Sequence, residues 1–309
     1  MKVFVTGVAG QLGHDVMNEL AKRGIEGVGS DLAPEYSGVK DGSPVQSMAY
    51  VSLDITDAAA VRKALTEVKP DAVVHCAAWT AVDAAEDEDK RDKVRAINAD
   101  GTRNIAEVCR ELDCKMVYIS TDYVFNGQGT EPWKPDCTDY APLSVYGQTK
   151  LDGELAVSGL VKKFFIVRIA WVFGLNGKNF IRTMLNVAKT HDTVRVVNDQ
   201  IGTPTYTADL ARLLTDMIET ERYGCYHATN AETGPGEYIS WYDFTCEIYR
   251  QAGLKVKVIP VSTEEYGLSR AKRPFNSRLD KSKLQQEGFK PLPDWKDAVA
   301  RYLKEIEED

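Results

Sequence analysis

The chain has 309 residues, 43% hydrophobic and 27% charged, and a formal net charge of −8 at pH 7. That length accommodates one large domain or two modest ones, and the acidic balance excludes a nucleic-acid surface, which needs clustered basic residues. No run approaches the roughly 18 apolar residues of a membrane span, and no signal peptide is read at the N-terminus. The six cysteines form no C-x-x-C and stand at no metal-ligating spacing to histidine, so reduced thiols in a cytoplasmic protein without a metal are expected.

In chain order the spacing predicts a strand over Lys2–Thr6, a helix over Gln11–Arg23 and a strand over Gly27–Ser30. A Gly-, Ser- and Pro-rich surface loop follows at Ala33–Ser47. Next come strand Ala49–Ser52, helix Ala58–Lys69, strand Ala72–His75, helix Asp89–Asp113 and strand Met116–Ser120. Helix Tyr146–Ser158, strand Phe165–Ile169, helix Ala208–Glu219 and strand Gly224–Ala228 complete the series. Alternating β-branched runs and amphipathic stretches specify an α/β fold with a doubly wound parallel sheet. Regularity fades after residue 174. Residues 1–174 and 202–230 are therefore expected to form the sheet domain, and 175–201 with 231–309 a smaller, discontinuous substrate-binding lobe.

Gly7, Gly10 and Gly13 lie between the first strand and the first helix, with Gln11 and Leu12 opening that helix. A tight turn that lets a pyrophosphate approach bare backbone at a helix N-terminus needs these glycines, which points to a Rossmann-type dinucleotide site. Asp31, just past the second strand, is placed to accept hydrogen bonds from the adenosine ribose, which on charge grounds favours NADH. Asp54 and Ile55 after the third strand, and Ala77 and Ala78 after the fourth, are expected along the rest of the cofactor.

Tyr146 and Lys150, four residues apart, share one face of a helix. Reducing a ketone requires a proton for the forming alkoxide, and a phenol near pKa 10 serves better when a fixed cation lowers it. Thr121, at the carboxyl edge of the fifth strand, offers a hydroxyl for the substrate carbonyl. By this reading Thr121, Tyr146 and Lys150 are catalytic.

The sequence resembles the extended short-chain dehydrogenase/reductases, and within them the dTDP-4-dehydrorhamnose reductases. The resemblance rests on the glycine loop, Ala77 to Glu86, Ser120 to Phe125, Tyr146 to Glu154, Arg168 to Gly174, Val197 to Tyr206 and Arg273 to Asp280. It implies hydride delivery to C4 of a 4-keto-6-deoxyhexose carried on dTDP. It also implies a substrate site containing Thr80, Asp83, Thr121, Asp122, Tyr123, Trp171, Asn179, Arg273 and Asn276. The family reaction is written with NADPH, so NADPH and NADH are both retained. Some bacterial relatives dimerise around magnesium; Asp15 falls near one such ligand but reads as an exposed helix acid, and homodimer and monomer are both open. Trp79 and the length of the Ala33–Ser47 loop depart from the family pattern. Two further readings stay open: a non-catalytic NADP-binding regulatory subunit like the beta subunit of methionine adenosyltransferase, and a nucleotide-sugar epimerase sharing the Tyr and Lys.

Overall fold

The computed structural model describes residues 1–234 and 236–308. Its strands are β1 (Lys2–Thr6), β2 (Glu26–Asp31), β3 (Ala49–Ser52), β4 (Ala72–His75), β5 (Lys115–Thr121), β6 (Phe164–Ile169), β7 (Val172–Phe173), β8 (Thr193–Val197), β9 (Ile201–Gly202), β10 (Thr205–Tyr206), β11 (Gly224–His227), β12 (Ile239–Ser240) and β13 (Lys257–Val261). Seven of them form one parallel sheet in the order β11-β6-β5-β4-β1-β2-β3. The chain winds one way from β1 through β3 and the other way from β4 onward, so the sheet is doubly wound, as the sequence pattern predicts. The reversal between β1 and β4 opens a crevice at the carboxyl ends of the strands.

Alternation along β1 shows why the sheet is covered on both faces. Val3 and Val5 enter one buried cluster with Leu12 and Met17 of helix α1 (Gln11–Lys22). Phe4 enters the opposite one with Leu65 of α2 (Ala58–Val68). Helix α2 ends at Val68, one residue before the predicted boundary, because Lys69 takes the left-handed conformation.

The predicted helix over Asp89–Asp113 is interrupted. A short α3 (Arg91–Arg95) passes into a π-helical stretch, Ala96–Gly101, before α4 (Thr102–Leu112) resumes. Gly101 packs against Ile55, where a Cβ would come within 2.8 Å of its Cγ1. The wider turn lets Asn98 accept from the Trp79 amide at 2.8 Å and donate to the Thr149 hydroxyl at 3.1 Å. Thr149 lies on α5 (Val145–Leu160), so the π stretch ties the cleft wall to the helix that carries Tyr146 and Lys150.

The loop at 33–47 is more than a surface excursion. It contains a 3₁₀ turn at Pro44–Gln46, buries Val45 in the α1 face of the core and bonds its Tyr36 hydroxyl to His14 at 2.7 Å.

Beyond β7 lie α6 (Phe180–Ala188), α7 (Thr207–Ile218), α8 (Trp241–Gln251), α9 (Thr263–Tyr266), α10 (Ser282–Gln286) and α11 (Trp295–Glu308). An outer lobe gathers Phe173, Ile181, Val196, Phe244, Trp295 and Tyr302 into its own core. The chain returns to the sheet through α7 and β11, which pairs with β6. Leu284, Phe289 and Leu292, expected with the outer lobe, instead join the core on the α1 face of the sheet. They are apolar, and α10 packs against β11, so burial there outweighs chain order. No described helix is long and apolar enough to cross a membrane.

Candidate active site

The crevice at the switch point is a cleft of about 1060 Å³. Its floor begins at the glycine turn. Gly7 has a φ of +72°, and a Cβ there would stand 2.6 Å from the Ala77 amide nitrogen. A Cβ on Gly13 would stand 2.3 Å from the Gly7 carbonyl oxygen. Only bare backbone lets β1, α1 and the segment after β4 approach this closely. Helix α1 starts at Gly10 with no side-chain cap and no acid in its first turn. Its leading amides thus face the cleft with the partial positive charge that suits a pyrophosphate. Asp31 lines the same cleft, one carboxylate oxygen accepting from the Ala9 amide at 3.0 Å and the other from Leu32 at 2.8 Å. Gln11, Leu12, Asp54, Ile55, Ala77 and Ala78 also line it. These residues fit a dinucleotide: uncapped amides for the diphosphate, a carboxylate near the ribose, and small or apolar walls for the rings.

Tyr146 and Lys150 open onto the cleft from α5, and Thr121 and Asp122 from the end of β5. Ser144 caps α5 by accepting from the Gly147 amide at 3.1 Å, and the Glu86 carboxylate receives the Val145 amide at 2.9 Å, so the first turn carrying Tyr146 is held from both sides. The Tyr146 ring meets Tyr123 edge-on, with centroids 5.5 Å apart, and Thr121 lines the same cleft. Lys150 is buried; its ammonium donates to the Ile119 carbonyl at 2.7 Å and sits 4.1 Å from the Tyr118 ring centroid.

The electrostatics correct one expectation. Lys150 does not draw the phenol toward neutrality here. Burial, and then the Asp122 carboxylate, push Tyr146 well above its ordinary value, and the Thr121 hydroxyl alone draws it back. Burial also lowers Lys150 to about 7, partly offset by Glu154, and raises Asp122 to about 6 against hydrogen bonds from Ser277 and Thr121. Three groups that exchange protons or charge are thus held away from their aqueous values at one end of the cleft.

The expected substrate residues divide. Thr80, Thr121, Asp122, Tyr123, Trp171 and Arg273 line the cleft. Asp83 stands behind them, accepting from Arg273 at 2.7 Å and from the Arg270 and Ala271 amides at 3.1 and 3.0 Å, so it anchors the arginine segment and caps no helix. Asn179 and Asn276 do not line it. Asn179 caps α6 and donates to Gly174, Gln11 and Tyr302. Asn276 is buried and donates to the Gln128 and Glu131 carbonyls. Both amides are consumed by the fold. Asp15 is no exposed helix acid: one of its carboxylate oxygens is buried without a partner among the described residues, and burial raises the group to about 7, with Glu305, Asp41 and Asp209 adding to the rise. Among the described residues no group of three or more His, Cys, Asp or Glu is gathered to hold a metal.

Trp241 and Phe180 of the outer lobe were not expected in the site. Trp241 stacks on Trp171 with ring centroids 4.0 Å apart, and Phe180 lies 4.5 Å from Trp241. Trp171 adopts a φ of +52°, a conformation that bulky residues hold only when their surroundings impose it. Ser240-x-x-Asp243 is a capping box that marks the start of α8 and places Trp241 at its first position, a signal readable in the sequence.

The model of the RmlD substrate binding domain family matches residues 1–308. A dTDP-4-dehydrorhamnose reductase of Streptomyces griseus is 39% identical over 304 residues, covering 96% of this chain and 91% of that protein. The crystal structure of a dTDP-4-dehydrorhamnose reductase from Clostridium acetobutylicum superposes with a TM-score of 0.87 at 40% identity, covering 99% of this chain and 100% of its own. That of Bacillus anthracis, in complex with NADP, superposes at 0.86 with 38% identity, covering 98% and 99%.

Proposed function

The chain belongs to the RmlD substrate binding domain family, and from that premise we propose that it is an NAD(P)H-dependent oxidoreductase that reduces the C4 ketone of dTDP-4-dehydro-L-rhamnose to dTDP-L-rhamnose. The observation that carries this reading is the meeting, in one cleft, of an uncapped helix start built on glycines with a buried lysine, a tyrosine and a threonine hydroxyl. A bound reduced nicotinamide supplies the hydride. Tyr146 supplies the proton to the oxygen that becomes the C4 hydroxyl, and Thr121, lining the same cleft, steadies the developing charge. Lys150, in the same cleft wall, would hold the ribose of a bound cofactor and, when protonated, would place positive charge beside the reacting groups. The stacked Trp171 and Trp241 present an aromatic wall suited to a pyranose face. Arg273 keeps a buried guanidinium nitrogen without a partner among the described residues, which suits a nucleotide diphosphate.

A net charge of −8 supports a small-molecule substrate over nucleic acid. Six cysteines without a disulfide support a cytoplasmic location. The test is the loss of reduced-nicotinamide absorbance with dTDP-4-dehydrorhamnose against dTDP-4-keto-6-deoxyglucose. Oxidation with the first alone is expected; equal oxidation of both, or of neither, overturns the assignment.

A further inference from the structure

Thr121 has one proton and more than one claimant for it. Its hydroxyl accepts from the Tyr123 amide at 3.2 Å and donates to one carboxylate oxygen of Asp122 at 3.0 Å. With that proton committed, the Thr121 oxygen can only accept from any further group in the cleft. The other Asp122 oxygen accepts from the Ser277 hydroxyl. Asp122 and Ser277 are 1% and 2% exposed, so neither bond is exchanged for water.

Ser277 comes from a segment remote in sequence and tightly stitched. Its amide donates to the Ile201 carbonyl at 2.8 Å, the Asn276 amide to Gly127 at 2.8 Å, and the Trp133 amide to Arg278 at 2.9 Å. Gly202 lies against it; a Cβ there would stand 3.0 Å from the Ser277 Cβ. Several backbone bonds and a glycine thus deliver this hydroxyl to the back of the Asp122 carboxylate.

We propose that Ser277 is a positioning residue for the reaction: by donating to Asp122 it holds that carboxylate as the acceptor of the Thr121 proton, and so sets whether Thr121 offers the substrate oxygen a lone pair or a proton. This inference rests on the reductase reading for its consequence in turnover, though not for the hydrogen-bond chain itself. When Asp122 is ionised, it holds the Thr121 proton away from a ketone oxygen in the cleft. When Asp122 is protonated, Thr121 is free to donate to that oxygen as charge develops on it. The other titratable groups at this end are Tyr146 and Lys150 from α5, Tyr123 beside Asp122, and Arg273 with Asp83 from the opposite wall. The Ser277 bond favours the ionised carboxyl, so removing it raises the pH at which Asp122 titrates.

The test measures the Asp122 carboxyl titration by carbon-13 NMR of aspartate-labelled protein without substrate, assigned with Asp122→Asn, beside the pH profile of kcat. In Ser277→Ala the midpoint is expected to rise by about one pH unit, the scale of one lost hydrogen bond to a charged group. The alkaline limb of kcat should move with it, at unchanged NADPH affinity. Ser277→Cys, a near-isosteric and weaker donor, should fall between the two and decides the matter should the alanine variant fail to fold. An unmoved midpoint overturns the proposal. So does a change in the pH profile that Ser277→Ala still produces in the Asp122→Asn background. Absence of NADPH oxidation by the unaltered enzyme would instead remove the reductase reading, leaving the NMR titration to judge the chain of hydroxyls.

Discussion

Replacing Tyr146 by phenylalanine separates chemistry from architecture, because the structure holds the ring by contacts apart from the hydroxyl. The ring is held edge-on by Tyr123, and the turn beneath it by Ser144 and Glu86. None of these contacts involves the phenolic oxygen, and Tyr146 lines the cleft. The folded state therefore loses no more than about 1 kcal/mol, the usual net worth of one hydrogen bond. The reaction loses its general acid, worth about 10²–10⁴ in rate, or about 3–5 kcal/mol at the barrier. Steady-state oxidation of NADPH gives kcat, quenching of protein fluorescence gives NADPH affinity, and thermal unfolding gives stability. The expected pattern is a loss of two to four decades in kcat with affinity and melting temperature almost unchanged. A variant retaining more than a tenth of the kcat would show that another group delivers the proton.

Gly13→Ala places a methyl group 2.3 Å from the Gly7 carbonyl oxygen and 2.8 Å from the Val8 Cα, both backbone that cannot step aside. An overpacking cost of about 1–3 kcal/mol, taken at the pyrophosphate turn, should weaken NADPH binding about 10- to 100-fold; titration with unaltered affinity would mean the turn does not hold the cofactor. Lys150 titrates near 7 in the fold against an ordinary 10.5. Between those values the unfolded chain binds the proton that the folded chain lacks, so this group makes stability rise with pH. Lys150→Met should accordingly melt above the unaltered protein at pH 6, with the margin closing as the pH climbs toward 10, while turnover is lost. A margin indifferent to pH speaks against a buried ammonium. Asp31→Ala removes both a ribose acceptor and the bond that secures the Ala9 amide, so NADH and NADPH should both bind less tightly, NADH the more; equal losses in isothermal titration would deny Asp31 any part in cofactor choice.

Much of the cofactor half was legible before any coordinates. Inner strands of a parallel sheet are buried on both faces, so β1 and β4 are written as short β-branched runs and begin and end where the spacing predicts. The edge strand β3, partly exposed, also keeps its predicted bounds. The glycine turn was legible because its requirement is steric and local. The π stretch at Ala96–Gly101 was not, since helical periodicity continues through it and its cause, the reach of Asn98 to Trp79 and Thr149, is a contact across the fold. Asn179 and Asn276 were misplaced for a related reason: an amide has the same hydrogen-bonding groups whether it holds a sugar or a helix end.

Residue types and their local order suffice for the doubly wound sheet, the dinucleotide turn and the Tyr146–Lys150 face, because each depends on interactions within a few residues of chain. Assembly in three dimensions alone decides that Ser277 stands behind Asp122, that Trp241 stacks on Trp171, that Asp83 anchors Arg273, and that burial drives Tyr146, Lys150 and Asp122 from their aqueous values. Those partners are far apart in the chain or owe their state to the exclusion of water, and neither quantity is written at any single position.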